Sequence, residues 1–191
     1  EGRLTKVFGG AIALHQAQIV NKELSMVQKQ ELQTVEKQTI AKYAASLIEP
    51  DDCVYLDAGT TTGWMIEYIR EEKATYVTNA LSHAKRLADK GFSVILIGGE
   101  PKSSTDAIVG AEAVLNLQKY HFSKGFFGVN GVDRTSGFTT PDAKEAMVKQ
   151  VAVKNTQSAH RYFLTTSAKF GEVYAVTFAG FEGGVILTEG N

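Results

Sequence analysis

The chain has 191 residues, 43% of them hydrophobic and 21% charged, which is enough apolar material for one globular domain with a substantial core. Its 20 basic and 21 acidic residues leave a net charge of −1, so it lacks the broad positive charge of a nucleic-acid-binding domain. A single cysteine and four scattered histidines exclude a disulfide framework and give no metal-ligand spacing. We therefore expect a cytoplasmic protein with no metal and no cofactor. Because no apolar run approaches roughly 18 residues, we also expect no membrane span.

The N-terminal part of the sequence predicts one helix preceded by irregular chain. Residues 6–14 are typical of an edge strand interrupted by a glycine pair, and the polar residues 16–33 predict a linker or a frayed helix. Residues 35–48 place Ile40, Tyr43 and Leu47 on one face, which predicts an amphipathic helix. The chain opens in mid-pattern and without an initiator Met, so we expect a fragment of a longer protein.

Residues 53–62 predict a buried strand, a tight turn and the start of a helix. The run Cys-Val-Tyr-Leu has the composition of a strand, the following Asp-Ala-Gly breaks it, and three threonines precede an apolar helical face. A helix N-terminus leaves N–H donors without partners and carries partial positive charge, so it favours a phosphate group. One threonine would indicate a simple helix cap. Three in a row after a glycine leave a cap and an anion site equally open.

Strands alternate with helices along the rest of the chain. Short apolar runs at residues 74–78, 93–97, 126–129, 162–164 and 185–187 predict strands, and residues 100–108 and 134–141 predict loops. The alternation predicts an α/β fold with a mostly parallel sheet and helices on both faces. Ligands of such sheets bind beyond the carboxyl ends of the strands. Polar or glycine-rich segments follow strands at residues 57–62, 78–79, 98–99, 130–133 and 166–169, which favours one shared pocket.

Charged and amide side chains near this predicted pocket favour binding of a phosphate and of sugar hydroxyls. Lys169 lies between small residues after a strand, which makes it a candidate phosphate ligand, and Asn130, Asp133 and Glu145 could hold hydroxyls. Lys149 could supply a second cation, but Lys149 and Glu145 on one helix are more typical of a solvated charged face. The sequence contains no P-loop and no G-x-G-x-x-G after the first predicted strand, so a nucleotide site is poorly supported.

Six motifs together resemble one protein family. They are Lys-Val-Phe-Gly-Gly-Ala (6–11), Leu-Asp-Ala-Gly-Thr-Thr-Thr (56–62), Val-Thr-Asn (77–79), Ile-Gly-Gly (97–99), Gly-Val-Asn-Gly (128–131) and Ala-Lys-Phe-Gly (168–171). The whole chain resembles the C-terminal effector-sensing domain of the DeoR family of bacterial sugar-operon repressors. The resemblance implies that residues 1–34 are a linker and edge strand after a missing N-terminal winged helix-turn-helix. Residues 35–191 would then be the effector-sensing α/β domain.

That sensor fold resembles ribose-5-phosphate isomerase and the CoA transferases, which raises two alternative activities. In the isomerases a Gly/Ser/Thr loop binds the substrate phosphate, and residues 59–62 match it. Their Asp-Gly-Ala-Asp motif is Asn-Gly-Val-Asp here, at residues 130–133, and an Asn cannot act as a general base. Gly-Phe-Thr at residues 137–139 stands where the isomerases carry a lysine. Although Glu145 resembles their catalytic glutamate, we expect a sensor with no catalytic residue rather than an isomerase or a CoA-transferase-like enzyme.

The resemblance also implies an effector and its contacts. Similarity is greatest to the fructose-operon repressors, which implies fructose 1-phosphate, with tagatose 6-phosphate, the effector of the lactose-phosphotransferase repressors, as the alternative. We expect the phosphate at Gly59, Thr60, Thr61, Thr62 and Lys169. We expect the sugar at Asp57, Thr78, Asn79, Gly98, Asn130, Gly131 and Glu145. The expected partners are the phosphorylated sugar, operator DNA only through the missing N-terminal domain, and further copies of the chain in a dimer or tetramer.

Overall fold

In a computed structural model, which describes residues 4–7, 10–13, 18–21 and 24–190, the chain folds around a six-stranded sheet. With strands numbered in chain order, this sheet consists of β4 (Cys53–Leu56), β5 (Thr75–Thr78), β6 (Ser93–Leu96), β9 (Lys124–Gly128), β12 (Arg161–Leu164) and β15 (Val185–Leu187). The strand order is β15-β12-β9-β4-β5-β6, and every neighbouring pair is parallel. The predicted α/β class with a mostly parallel sheet is confirmed.

Helices cover both faces of this sheet. They are α1 (Met26–Glu31), α2 (Thr34–Ser46), α3 (Thr60–Tyr68), α4 (Leu81–Asp89), α5 (Ala111–Leu117) and α6 (Ala143–Lys154). Successive side chains of a strand point to opposite faces, so Val54 and Leu56 pack in the same core as α2, α3 and α4. Tyr55, between them, packs in the second core with α5 and α6.

The described ranges also contain four smaller sheets, and the three-stranded one packs in the second core. The antiparallel strands β10 (Gly131–Asp133), β11 (Gly137–Thr140) and β14 (Val176–Ala179) form one of them. Phe138 of this sheet stacks on Phe163 of β12, with ring centroids 3.9 Å apart. Three two-stranded pairs join β1 (Leu4–Val7) to β2 (Gly10–Ala13), β3 (Gln18–Ile19) to β13 (Glu172–Val173), and β7 (Glu100–Lys102) to β8 (Ala107–Val109).

The structure differs from the sequence-based predictions of secondary structure in five segments. Residues 100–108 and 134–141 are not plain loops, because they contain β7, β8 and β11. Residues 93–97 do not form a fully covered strand: β6 is an edge strand, with Ile95 36% and Leu96 40% exposed. The described part of residues 6–14 belongs to two strands that pair with each other rather than to one interrupted edge strand, while Phe8, Gly9 and Leu14 lie outside the described residues. Residues 16–33, predicted as a linker or a frayed helix, contain the strand β3 and the helix α1.

The described ranges also bear on membranes and metals. None of their helices is long and apolar enough to cross a lipid bilayer. In the same ranges, no three His, Cys, Asp or Glu side chains lie close enough together to hold a metal ion.

Candidate functional site

The candidate site lies where the strand order of the central sheet reverses. The chain runs outward from β4 through β5 to β6, then returns to β9 on the other side of β4 and runs outward through β12 to β15. The loops after β4 and β9 therefore leave in opposite directions and open a crevice at the carboxyl end of the sheet, where α/β proteins bind ligands. A cavity of about 460 Å³, counting its open mouth, lies there and is lined by Lys29, Ala58, Gly59, Thr60, Thr105, Gly128, Val129, Asn130, Glu145, Lys149 and Lys169.

The turn after β4 is held by two side chains that do not reach the cavity. The Asn79 Oδ1 atom accepts hydrogen bonds from the Tyr55 hydroxyl and the Ala58 N–H, both at 3.0 Å, and its Nδ2 donates to the Ile108 carbonyl at 3.2 Å. The Thr62 hydroxyl lies 2.7 Å from the Asp57 carbonyl and 3.0 Å from the Gly59 carbonyl. These bonds fix the backbone that leads into α3.

Helix α3 presents its N-terminus to the cavity. Gly59 is the N-cap and has no side chain to accept a hydrogen bond, and Thr60 is the first helical residue. The N–H groups in the first turn of a helix lack acceptors within the helix, and the helix dipole adds partial positive charge there. An uncapped N-terminus at a cavity wall is therefore suited to bind an anion.

A buried ion pair lies beside this helix end and joins the two loops. Asp57, 1% exposed, accepts a short hydrogen bond from Lys149 and another from the Gly128 N–H at 3.0 Å. Lys149, 4% exposed, also donates to the Gly128 carbonyl at 3.0 Å and lies 5.2 Å from the centre of the Phe178 ring. Burial raises the pKa of the Asp57 carboxyl, and the Lys149 charge opposes that effect. The pair fixes the spacing of the β4 and β9 loops.

Lys169 adds a cation that is strongly affected by its surroundings. Its ammonium donates to the Val129 carbonyl at 2.5 Å from the loop after β12. Burial lowers the pKa of Lys169 to about 7, and the positive charges of Lys37, Lys29 and Lys149 contribute, whereas Glu172 opposes the change. A lysine whose pKa is lowered by neighbouring lysines indicates positive potential in the cavity, which an anionic ligand would relieve.

The opposite side of the cavity carries oxygen and amide groups. Glu145 of α6 accepts from the Lys102 ammonium at 3.1 Å and from the Thr105 hydroxyl at 2.5 Å. The Asn130 Oδ1 atom accepts from the Thr140 hydroxyl at 3.2 Å. Groups of this kind can hold several hydroxyls through directed hydrogen bonds.

Five of the predicted site residues come together at this cavity. Gly59, Thr60 and Lys169 from the predicted phosphate set line it, as do Asn130 and Glu145 from the predicted sugar set. Asp57 does not line the cavity, and its carboxylate accepts hydrogen bonds from the Gly128 N–H and the Lys149 ammonium.

The remaining predicted residues do not line this cavity. Thr61 and Thr62 are buried in α3, and the Thr62 hydroxyl is engaged in the turn. Thr78, fully buried, accepts from the Ala80 N–H at 3.1 Å, while Asn79 supports the turn described above. Gly98 is exposed and does not line the cavity. Gly131 is buried against the Glu172 backbone, where a Cβ atom would lie 2.3 Å from the Glu172 carbonyl oxygen.

Sequence reasoning missed or undervalued four side chains of the site. Lys149 and Glu145 were expected on a solvated helix face, but both are buried because the helix packs this face against the cavity. Lys29 and Thr105 come from segments that the sequence marked as linker and loop. The only signal for Thr105 was its place in a polar segment after a strand, and for Lys29 no motif gives one.

Comparison with known proteins identifies the family. Residues 32–188 match the model of the DeoR C-terminal sensor domain. The chain belongs to the DeoR family. It is 42% identical over 188 residues to the HTH-type transcriptional regulator FruR of Bacillus subtilis, itself uncharacterized, covering 98% of this chain and 73% of FruR. It is 39% identical to the lactose phosphotransferase system repressor of Staphylococcus aureus, covering 90% of this chain and 68% of that repressor. The suspected DeoR resemblance is confirmed.

Solved structures show how far the fold of this DeoR sensor domain extends. Ribose 5-phosphate isomerase A from Neisseria gonorrhoeae superposes with a TM-score of 0.51 at 11% identity, over 70% of this chain and 52% of the isomerase. The eIF2B delta subunit from Chaetomium thermophilum gives 0.56 at 17% identity, over 85% of this chain and 58% of the subunit. At such low identity these likenesses establish the fold alone, and the predicted isomerase-like fold is confirmed.

Proposed function

We propose that this chain is the effector-binding domain of a DeoR-type repressor of a sugar operon and that it binds a phosphorylated sugar in the cavity between β4 and β9. One observation carries the proposal: three lysines and an uncapped helix N-terminus converge on this cavity in a domain of a repressor family. Lys149 pairs with Asp57, and Glu145 pairs with Lys102, which also pairs with Asp142. A dianion in the cavity would be attracted by the positive charges of Lys29 and Lys169, which line it, and by the helix end.

In this proposal the phosphate and the sugar occupy different parts of the cavity. The phosphate accepts hydrogen bonds from the first-turn N–H groups of α3 and the Thr60 hydroxyl, and Lys169 supplies charge. The sugar hydroxyls then face Asn130, Thr105 and Glu145, which offer both donors and acceptors. Fructose 1-phosphate is the preferred effector, and tagatose 6-phosphate is the alternative.

We further propose that the bound sugar is not turned over. Asn130 lacks a carboxylate that could remove a proton. The Glu145 carboxylate is engaged by Lys102 and Thr105, so one of its oxygens is already occupied by two donors. The alternative is an active aldose–ketose phosphate isomerase, and an assay of the purified chain with ribose 5-phosphate separates the two. Turnover at a rate typical of enzymes, above about 1 per second, would contradict the sensor proposal.

The remaining proposals concern the whole repressor. Operator DNA would be bound through an N-terminal winged helix-turn-helix ahead of the sensor, and the protein would act in the cytoplasm as a dimer or tetramer. The net charge of −1 agrees with a sensor that does not itself hold DNA.

A thermal-shift panel tests the effector proposal. Fructose 1-phosphate, tagatose 6-phosphate, ribose 5-phosphate, inorganic phosphate and unphosphorylated fructose are each added to the purified chain. A ligand at 100 times its dissociation constant stabilises the folded state by about 2.7 kcal/mol, so the true effector should raise the melting temperature by several degrees. Lys169→Ala should weaken the effect of the phosphorylated sugar, whereas Lys42→Ala, on an exposed part of α2, should not. Equal stabilisation by fructose and its phosphate would contradict the proposal.

A further inference from the structure

Lys29 differs from the other cations of the cavity in its position along the chain. It lies on α1, which ends at Glu31, immediately before the family match begins at residue 32. Nevertheless Lys29 lines the same cavity as Thr60, Asn130 and Lys169, and all four also line an adjoining pocket that extends along α1 and α2. The wall of the site is therefore shared between the sensor domain and the segment that precedes it.

Helix α1 is short, and two apolar side chains along it are largely exposed. It has six residues, fewer than an isolated helix needs to be stable in water. Its Val27 side chain is 67% exposed, and Leu32, which ends the helix, is 50% exposed. Polar contacts with the rest of the molecule therefore contribute to holding α1 in place.

Two of these contacts lie at the junction between α1 and α2. The buried Lys37 ammonium donates a short hydrogen bond to the Lys29 carbonyl, and the Thr166 hydroxyl donates to the Gln33 side chain at 2.7 Å. Gln33 has a left-handed backbone, with φ 53° and ψ 45°, which is uncommon for a residue other than glycine. Thr166 directly precedes the short helical turn that carries Lys169. The junction is thus tied to the loop that supplies a cation to the cavity.

Three lysines near the junction carry positive charge that would interact with an anion in the cavity. Lys29, Lys37 and Lys169 repel one another, and this repulsion contributes to lowering the pKa values of Lys37 and Lys169. Glu36 and Glu172 offset part of this repulsion. A phosphate at the N-terminus of α3 would add an attraction between the Lys29 ammonium and the cavity that it lines. A ligand shifts a conformational equilibrium when it interacts differently with the two states, and Lys29 provides such a difference.

We propose that Lys29 is an anion ligand that α1 brings to the effector, so that occupancy of the cavity fixes α1 against the sensor domain. The proposal rests on the proposed function and adds the regulation of the same site. In it, α1 is the element through which a bound sugar phosphate changes the segment on the N-terminal side of the sensor.

Hydrogen exchange of the 191-residue chain, with and without saturating fructose 1-phosphate, tests this role. We expect exchange of the backbone amides in residues 25–33 to slow by about tenfold or more when the ligand is bound, within the usual range of coupling between sites. Lys29→Met should still bind the ligand, with reduced affinity, but should lose the slowing in α1. The control Lys42→Met, on the exposed part of α2, should keep both.

The outcomes separate this proposal from the function on which it rests. If fructose 1-phosphate raises the melting temperature but exchange in α1 is unchanged, the role of Lys29 is wrong and the sensor proposal stands. If ligand binding slows exchange in α1 of Lys29→Met as much as in the wild type, the proposed role of Lys29 is also wrong. If neither fructose 1-phosphate nor tagatose 6-phosphate raises the melting temperature, both proposals fail. The wild-type comparison decides the matter even if Lys29→Met does not fold.

Discussion

At the scale of single residues, we expect the ion pair between Lys149 and Asp57 to be important for stability. Lys149→Met removes the cation but leaves the buried Asp57 carboxylate, so it should lower the free energy of unfolding by about 3–5 kcal/mol. Urea unfolding followed by Trp64 fluorescence measures this change. Part of the loss should return in the double variant Lys149→Met with Asp57→Asn, because the second change removes the unpaired charge.

The matched control for this prediction is Lys144→Met. Lys144 lies on the same helix and pairs with Glu100 at 2.7 Å, but both side chains are more than half exposed. We expect its unfolding midpoint to stay close to that of the wild type, because exposed ion pairs contribute little. If both variants lost the same stability, Asp57 and Lys149 would not form the buried pair described above.

Lys169 should make both stability and effector affinity depend on pH. Its pKa of about 7 in the folded protein, against an ordinary value near 10.5, leaves it largely neutral at pH 8. Between about pH 7 and pH 10.5, folding therefore releases a proton from Lys169. The contribution of Lys169 to stability rises as the pH rises through this range. An anion favours the charged form, so effector binding at pH 8 should take up a proton, and affinity should fall as the pH rises above 7.

Calorimetric titration at pH 8 in two buffers with different ionisation enthalpies measures this proton uptake. The observed binding heat should differ between the buffers for the wild type. It should not differ for Lys169→Arg, because arginine stays charged throughout this range. Equal heats for the wild type would show that Lys169 does not change protonation when the effector binds.

Sequence reasoning reached some of these residues and not others, for a physical reason. Thr60, Asn130 and Lys169 lie in the segments that follow β4, β9 and β12. The carboxyl ends of parallel strands meet at one edge of the sheet whatever the details of packing. Lys149 and Lys29 reach the cavity only through the packing of α6 and α1, which a local pattern does not encode. Asn79 also follows a strand, but its amide is used by the turn that it supports.

At the scale of elements, we expect the three threonines that begin α3 to have different functions. Thr60 lines the cavity, whereas the Thr62 hydroxyl donates to the backbone of the turn. Thr62→Val should lower the free energy of unfolding by about 1–2 kcal/mol, because it leaves buried carbonyls with one donor fewer. Thr60→Val should leave stability nearly unchanged and weaken binding of the phosphorylated sugar.

Urea unfolding and calorimetric titration of both variants measure these two effects. Thr61→Val, whose side chain is buried and does not line the cavity, serves as the control for the loss of a hydroxyl in this turn of helix. The assignment is contradicted if Thr62→Val loses affinity without losing stability, or if Thr60→Val binds the sugar phosphate as the wild type does.

The strands of the central sheet were predictable because each contains a short apolar run, and α2 was predictable because apolar residues recur along it at helical spacing. The strands of the smaller sheets were not predictable, because glycine, proline and polar residues interrupt several of them, as in Glu-Pro-Lys of β7 and Gly-Phe-Thr-Thr of β11. The edge position of β6 was also hidden, since its apolar run is typical of a covered strand. Only the strand order, which depends on long-range pairing, leaves Ile95 and Leu96 partly exposed.

At the scale of the whole molecule, the site is a consequence of topology. The crevice exists because the chain returns past β4 to form β9, and the bond between Asp57 and the Gly128 N–H closes the two loops around it. The sequence predicts a shared pocket at this edge, but which loops meet depends on the order of the strands. Gly98 illustrates this dependence. It follows β6 at the edge of the sheet, whereas the strand order reverses between β4 and β9.

A crystal structure of the chain with bound fructose 1-phosphate is the most direct test of the central claim. We predict the phosphate at the N-terminus of α3, with its oxygens within about 3 Å of the Thr60 N–H or hydroxyl and of the Lys169 ammonium. The sugar hydroxyls should lie against Asn130 and Glu145. A sugar phosphate bound away from the cavity between β4 and β9, with the N-terminus of α3 left open, would contradict the account.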